Sequence, residues 1–141
     1  AYCEIETYLK NLGKDRIKGL YPFKSILDSG VKMCFSTDAP ATSWAMPSDP
    51  FSNLKSAVTK YAYEGTDIGQ EQRIDIETAI RLYTKEAAEI SGFPELGMIK
   101  EGYEAGFIVL SEDIFGIDPM RIDEVNVEET YIKGEKIYSI K

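Results

Sequence analysis

Residues 22–40 read PFKSILDSGVKMCFSTDAP, and this stretch combines a helix pattern with the best strand pattern of the chain. Its first part predicts a short helix over residues 22–28, because proline suits a first helical turn and Gly30 suits a stop. Residues 31–37 then alternate with a period of two, which predicts a β-strand. An Ala-Pro turn follows Asp38, so this carboxylate is expected at the carboxyl end of the strand.

The predicted strand has two chemically different faces. One face carries large apolar side chains, namely Val31, Met33 and Phe35. The other face carries smaller or polar side chains, namely Cys34, Ser36 and Asp38. The alternation therefore predicts that the two faces of this strand meet different surroundings.

Helices are predicted on both sides of this strand. Ile5, Leu9 and Leu12 have helical spacing and are followed by Gly13. A second helix is expected over residues 50–65, with Ser48 or Asp49 as its cap, and a third over residues 75–92, with Asp75 as its cap. The pattern changes after residue 93, where residues 107–110, 122–127, 130–132 and 136–140 predict short strands.

The composition excludes several classes of function. The chain has 141 residues and a formal net charge of −8, which argues against a nucleic-acid partner. No apolar run approaches the length of a membrane span, and no signal peptide is recognisable. The two cysteines do not form a disulfide framework, and we expect a cytoplasmic location.

The absence of histidine is the most informative count. The sequence contains none, which excludes His-dependent triads and His-rich zinc sites within this chain. A metal bound by this chain alone would need carboxylates or Cys34 as ligands. We therefore expect no cofactor and no activity from the isolated chain.

Three stretches together resemble the amidohydrolase superfamily, and most closely its branch of N-substituted formamide deformylases. They are residues 22–40, residues 79–88 (AIRLYTKEAA), and residues 96–110 together with 130–138. Two positions depart from the family pattern. Ser36 and Thr37 replace its usual Gly-Ser, and Gly106 replaces an aspartate in a turn.

The resemblance implies an α/β fold and a chain that is one piece of a larger protein. Residues 1–93 would be the C-terminal part of a (β/α)8 barrel, with its last strand and flanking helices, and residues 94–141 part of a small β-sandwich. A complete barrel needs about 250 residues. The first residue is Ala1 and not Met, which fits a chain cut from a longer one, although removal of an initiator Met would leave the same end.

The resemblance also implies a role for Asp38. In that family an aspartate at the end of the last strand touches a metal-bound water and shuttles its proton, so Asp38 is the predicted catalytic and metal-contacting residue. The parent would hold one or two divalent metals, expected to be zinc. It would hydrolyse a small-molecule amide, formamide or cyclic amide. Without the resemblance, an aspartate before Ala-Pro is a common turn residue.

Two further expectations concern the loop after Asp38 and the open surfaces. Trp44 and Met46 could line a substrate pocket, because loops above barrel strands do so, or could pack as a lid on the core. A partial barrel should expose strand edges, so we expect a homo-oligomer. The alternative to a hydrolase piece is a stand-alone, non-catalytic α/β module used for assembly.

Overall fold

The computed structural model describes residues 4–38 and 48–140, which form an α/β arrangement. Two short 3₁₀ turns lie at Gln70–Gln72 and Pro119–Glu124. The helices are α1 Ile5–Leu12, α2 Lys14–Ile17, α3 Phe23–Asp28, α4 Phe51–Thr59, α5 Ile76–Tyr83 and α6 Lys85–Ile90. The strands are β1 Phe107–Leu110, β2 Val127–Ile132 and β3 Glu135–Ser139.

The three strands form one antiparallel sheet in the order β1-β2-β3. The hairpin between β2 and β3 turns at Lys133 and Gly134, with φ of 53° and 78°. Two consecutive positive φ values match the tight turn that follows the twist of a hairpin. Tyr131 faces Phe107 on β1 and Lys136 on β3, and its ring stacks on Phe107 with 4.5 Å between centroids. β1 and β3 are therefore the two edges of this sheet.

The main core lies around α4. Phe51, Leu54 and Ala57 of α4 are buried together with side chains of α5 and of residues 111–126. The buried members from α5 and from residues 111–126 are Ala79, Leu82, Ile114, Ile122 and Val125. This core crosses residue 93, and the division into parts 1–93 and 94–141 stays a prediction.

A second, smaller core ties the beginning of the chain to the segment after α4. Ile5 and Ile17 are buried against Ala62 and Ile68. The apolar stripe predicted for the first helix is confirmed at Ile5, which is fully buried, and at Leu9, which packs on the same cluster. It is wrong at Leu12, which is 39% exposed at the end of the helix.

The strand predicted over residues 31–37 is wrong for the residues that the structure describes. This segment forms no strand, although Met33 and Phe35 pack on the main core as expected. Val31, predicted to face the helices, is 60% exposed. A strand needs a hydrogen-bonded neighbour. The N–H of Phe35 donates instead to the carbonyl of Leu82 at 3.1 Å, in helix α5.

Two predicted helix ends are also wrong. α4 ends at Thr59 and not at Gly65, because the next residue, Lys60, adopts a left-handed conformation with φ of 53°. The helix predicted over residues 75–92 is divided at Thr84 into α5 and α6. The cap at Asp75 is confirmed, since its side chain accepts a hydrogen bond from the N–H of Thr78 at 2.7 Å.

The strand predicted over residues 122–127 is largely a 3₁₀ turn at Pro119–Glu124. Asp118 accepts a hydrogen bond from the N–H of Met120, and proline at the first position favours a helical turn. Ile122 is consequently buried from a turn and not from a strand. The strand begins at Val127 and continues through the predicted segment 130–132.

The backbone of Gly97 packs against Thr84, where the predicted helix is divided, and this contact gives a prediction about substituting Gly97. Gly97 has φ of +80°, and a Cβ there would lie 2.5 Å from the carbonyl oxygen of Thr84. Gly102 has φ of +85° but open space around it, so it is a matched control. We expect Gly102→Ala to cost about 1–2 kcal/mol through backbone strain alone, and Gly97→Ala to cost about 1–3 kcal/mol more through the clash. Urea denaturation of both variants measures this; equal losses would contradict the close packing.

Candidate functional site around Asp38

Asp38 lies at the end of the extended segment 31–38 and is exposed to solvent. Its backbone is left-handed, with φ of 57°, a conformation that aspartate and asparagine tolerate better than most residues. The N–H of Asp38 donates to the side-chain oxygen of Ser36 at 3.3 Å. The hydroxyl of Ser36 therefore holds the backbone that carries the carboxylate.

The other predicted site residues cannot be placed beside Asp38. Trp44 and Met46 lie outside the residues that the structure describes. Their roles as pocket or lid residues stay predictions.

The donor set of this chain does not make a metal site by itself. The sequence has no histidine. Within residues 4–38 and 48–140, no three Cys, Asp or Glu side chains lie close enough together to hold a metal ion. Asp38 can supply at most one ligand, and the remaining ligands would have to come from other residues.

A cavity of about 170 Å³ adjoins the segment that leads to Asp38. Cys34 and Ser36, two side chains predicted for the polar face, line it. Asn53 of α4 and Tyr83 of α5 also line it, and sequence reasoning did not select either as a site residue. The Nδ2 of Asn53 donates to the hydroxyl of Tyr83 at 2.9 Å. Residues 79–88, the second stretch that resembles the amidohydrolase superfamily, contain Tyr83 and Thr84. That resemblance was the signal that could have selected Tyr83.

Three aromatic rings that line this cavity, those of Phe23, Phe35 and Tyr83, contact one another in a row. The rings of Phe23 and Phe35 meet edge to face, with centroids 4.9 Å apart. Those of Phe35 and Tyr83 meet in the same way at 5.5 Å. Edge-to-face pairs of this kind add about 0.5–1.5 kcal/mol each beyond the burial of their area. The row therefore ties the extended segment to both α3 and α5.

Lys60 is fully buried beside this row. Its ammonium donates to the carbonyl oxygens of Leu20 at 3.2 Å and Tyr21 at 2.9 Å. It also lies 4.9 Å from the centroid of the Phe23 ring. Burial lowers the pKa of Lys60 to about 8, with partial compensation from the carboxylates of Glu71 and Asp67.

Tyr83, which belongs to the row, and Tyr21, which lies beside it, both remain protonated in the neutral range. Burial raises the pKa of Tyr83, and the hydrogen bond from Asn53 offsets part of that rise. Burial, together with the neighbouring carboxylate of Glu4, raises the pKa of Tyr21. The hydroxyl of Tyr21 donates to Glu4 at 3.0 Å, so it has a structural partner.

The comparison with protein families decides what kind of chain this is. The amidohydrolase family matches residues 3–138. The chain belongs to the amidohydrolase family. The resemblance stated from residues 22–40, 79–88, 96–110 and 130–138 is thereby confirmed. The match covers the segment that ends at Asp38, the strands β1 and β2, and β3 up to Tyr138.

Named relatives of this amidohydrolase chain are much longer. A protein of Bacillus subtilis (strain 168), named as amidohydrolase YtcJ, is 33% identical over 134 residues, which are 92% of this chain and 25% of the relative. The N-substituted formamide deformylase of Arthrobacter pascens is 28% identical over 116 residues, which are 82% of this chain and 21% of the relative. The chain thus spans about a quarter of the length of these relatives.

Solved structures give the same relation. A crystal structure of a metal-dependent hydrolase from Pyrococcus horikoshii OT3 matches with a TM-score of 0.65 and 26% identity, over 82% of this chain and 24% of that one. A metal-dependent hydrolase from Pyrococcus furiosus matches with a TM-score of 0.55 and 29% identity, over 72% of this chain and 20% of that one. The fold of the amidohydrolase chain is therefore that of a mixed α/β part of such hydrolases. Among its described residues, no helix is both long and apolar enough to cross a membrane.

The buried ammonium of Lys60 gives a prediction about pH. Its folded-state pKa of about 8 lies below the usual 10.5, so the unfolded chain binds more protons between these values and stability rises with pH. We expect the unfolding free energy of the wild type minus that of Lys60→Met to rise from pH 8 to pH 9.5, by up to about 1.4 kcal/mol per pH unit. Urea denaturation at several pH values measures it. A difference that is constant with pH would contradict the lowered pKa.

Proposed function

We propose that this chain is the C-terminal piece of a metal-dependent hydrolase that cleaves a non-peptide C–N bond of the amide or formamide type. The observation that carries the proposal is the position of Asp38. It ends the extended segment of a chain that matches the amidohydrolase family over residues 3–138. The formamide substrate class is suggested by the Arthrobacter pascens relative alone.

In this proposal the carboxylate of Asp38 is the proton shuttle. One carboxylate oxygen accepts the proton of the attacking water and then delivers it to the leaving nitrogen. A divalent metal, when bound, would supply an acidified water at neutral pH. The exposure of Asp38 supports the role, since the carboxylate is open to groups that this chain does not supply.

The metal would be zinc, held as one or two ions by residues of the rest of the protein with Asp38 as a contributing ligand. Trp44 and Met46 would line the pocket for a small amide substrate. A cytoplasmic location, inferred from the cysteine usage, stays a prediction. The isolated chain would be inactive, because it has no histidine with which to hold the metals.

The role of Asp38 can be tested in the whole protein that contains this chain. We expect Asp38→Asn to fold normally, since asparagine also tolerates the left-handed backbone, yet to lose turnover by roughly 10²-fold or more with the proton shuttle. Asp28→Asn, at the exposed end of α3, is the matched control and should keep wild-type turnover. The measurements are kcat and metal content. Activity of Asp38→Asn within a few-fold of wild type would rule the shuttle role out.

We also propose that the isolated chain self-associates. Every residue of β3 is exposed, and β1 forms the opposite open edge of the sheet. The sheet also exposes large apolar side chains, namely Ile108, Ile132, Ile137 and Tyr138. Open edges and apolar surface of this kind favour pairing with a second copy.

Light scattering tests the association directly. We expect a mass above that of one 15.8 kDa chain at micromolar concentration. Lys substitutions at Ile137 and Tyr138, on the exposed edge strand, should reduce the mass by placing charges there. A mass equal to one chain for the unsubstituted protein would contradict the proposal.

A further inference from the structure

The starting observation is how Phe35 is held. It lies three residues before Asp38, in a segment that forms no strand within the described residues. Its ring meets two others edge to face, Phe23 of α3 and Tyr83 of α5. Its N–H donates to the carbonyl of Leu82, the neighbour of Tyr83 in the chain. The position of the segment is therefore set at Phe35 by α5 through both backbone and ring.

Helix α4 holds the two ends of this aromatic row. Asn53 bonds to the hydroxyl of Tyr83 at one end, and Lys60 lies against the ring of Phe23 at the other. Asn53 lies in α4 and Lys60 is the residue that caps its C-terminus. Both outer rings of the row are therefore held by α4 or by its cap.

The hydrogen bond between Asn53 and Tyr83 restricts how far the ring of Tyr83 can slide along the ring of Phe35. Edge-to-face contact leaves a ring free to slide unless another group fixes it. The hydroxyl of Tyr83 accepts the amide N–H of Asn53 at 2.9 Å and so ties the ring to α4. Removing that hydroxyl keeps the ring and its apolar contacts but releases this tie.

We propose that Tyr83 is a positioning residue for Asp38, acting through Phe35; the proposal rests on the proposed proton-shuttle role of Asp38. The hydroxyl bond to Asn53 fixes the ring of Tyr83. That ring and the Leu82 carbonyl fix Phe35, and Phe35 sets where the turn presents the carboxylate of Asp38. Tyr83 itself takes no part in the chemistry.

The test is a set of double-mutant cycles on turnover in the whole protein. Tyr83→Phe should lower kcat by roughly five-fold, the effect of about one net hydrogen bond, and leave KM within about two-fold. Asn53→Ala should cause the same loss, and the double variant no more, because both remove one bond. In the Asp38→Asn background, Tyr83→Phe should cause no further loss. A purely structural effect would lower turnover in both backgrounds.

Amide hydrogen exchange gives a readout that does not depend on activity. Tyr83→Phe should accelerate exchange of the Phe35 amide, which bonds to Leu82, while Tyr138→Phe on β3 should leave it unchanged. Unchanged exchange or unchanged kcat in Tyr83→Phe would overturn the positioning role. If Asp38→Asn turned over like wild type, the proposed function would fail and the positioning role with it. A slow Asp38→Asn protein with a fully active Tyr83→Phe protein would overturn the positioning role alone.

Discussion

The buried ammonium of Lys60 is the constraint around which this chain is arranged. A fully buried lysine is tolerated only when its protons find acceptors, and here they find the carbonyls of Leu20 and Tyr21. Leu20 and Tyr21 pack on the small core, whereas the Phe23 ring beside the ammonium packs on the main core. One side chain at the end of α4 therefore joins the two cores. It also fixes the entry into α3, from which the chain proceeds to Asp38.

The contacts of Lys60 lead along the chain to the aromatic row and to residues 31–38. α4 lies under the aromatic row, and the row holds the segment 31–38 although no strand of the described chain pairs with it. The result is an extended segment that is anchored on its apolar side at Met33 and Phe35 and open on its polar side at Ser36 and Asp38. This one-sided anchoring is what a chain needs if the neighbours of the segment belong to the remaining three-quarters of a longer protein.

The sequence predicted those features whose causes are local. The Asp75 cap and the first helix each depend on residues within a few positions. The strand predicted at 31–37 is absent, because alternation alone does not supply a partner and no strand among the described residues pairs with this segment. The ends of α4 and α5 depend on tertiary contacts, at Lys60 with distant carbonyls and at Thr84 with Gly97. The Asn53–Tyr83 bond joins residues 30 positions apart and leaves no periodic trace in the sequence.

We propose that Asp38 reaches a metal centre built by the rest of the protein. A crystal structure of the whole metal-loaded protein measures this directly. We expect the carboxylate of Asp38 within about 3 Å of a bound metal or its water, with residues 31–38 paired between two further strands. A carboxylate turned away from every bound metal, with the segment still unpaired, would contradict it.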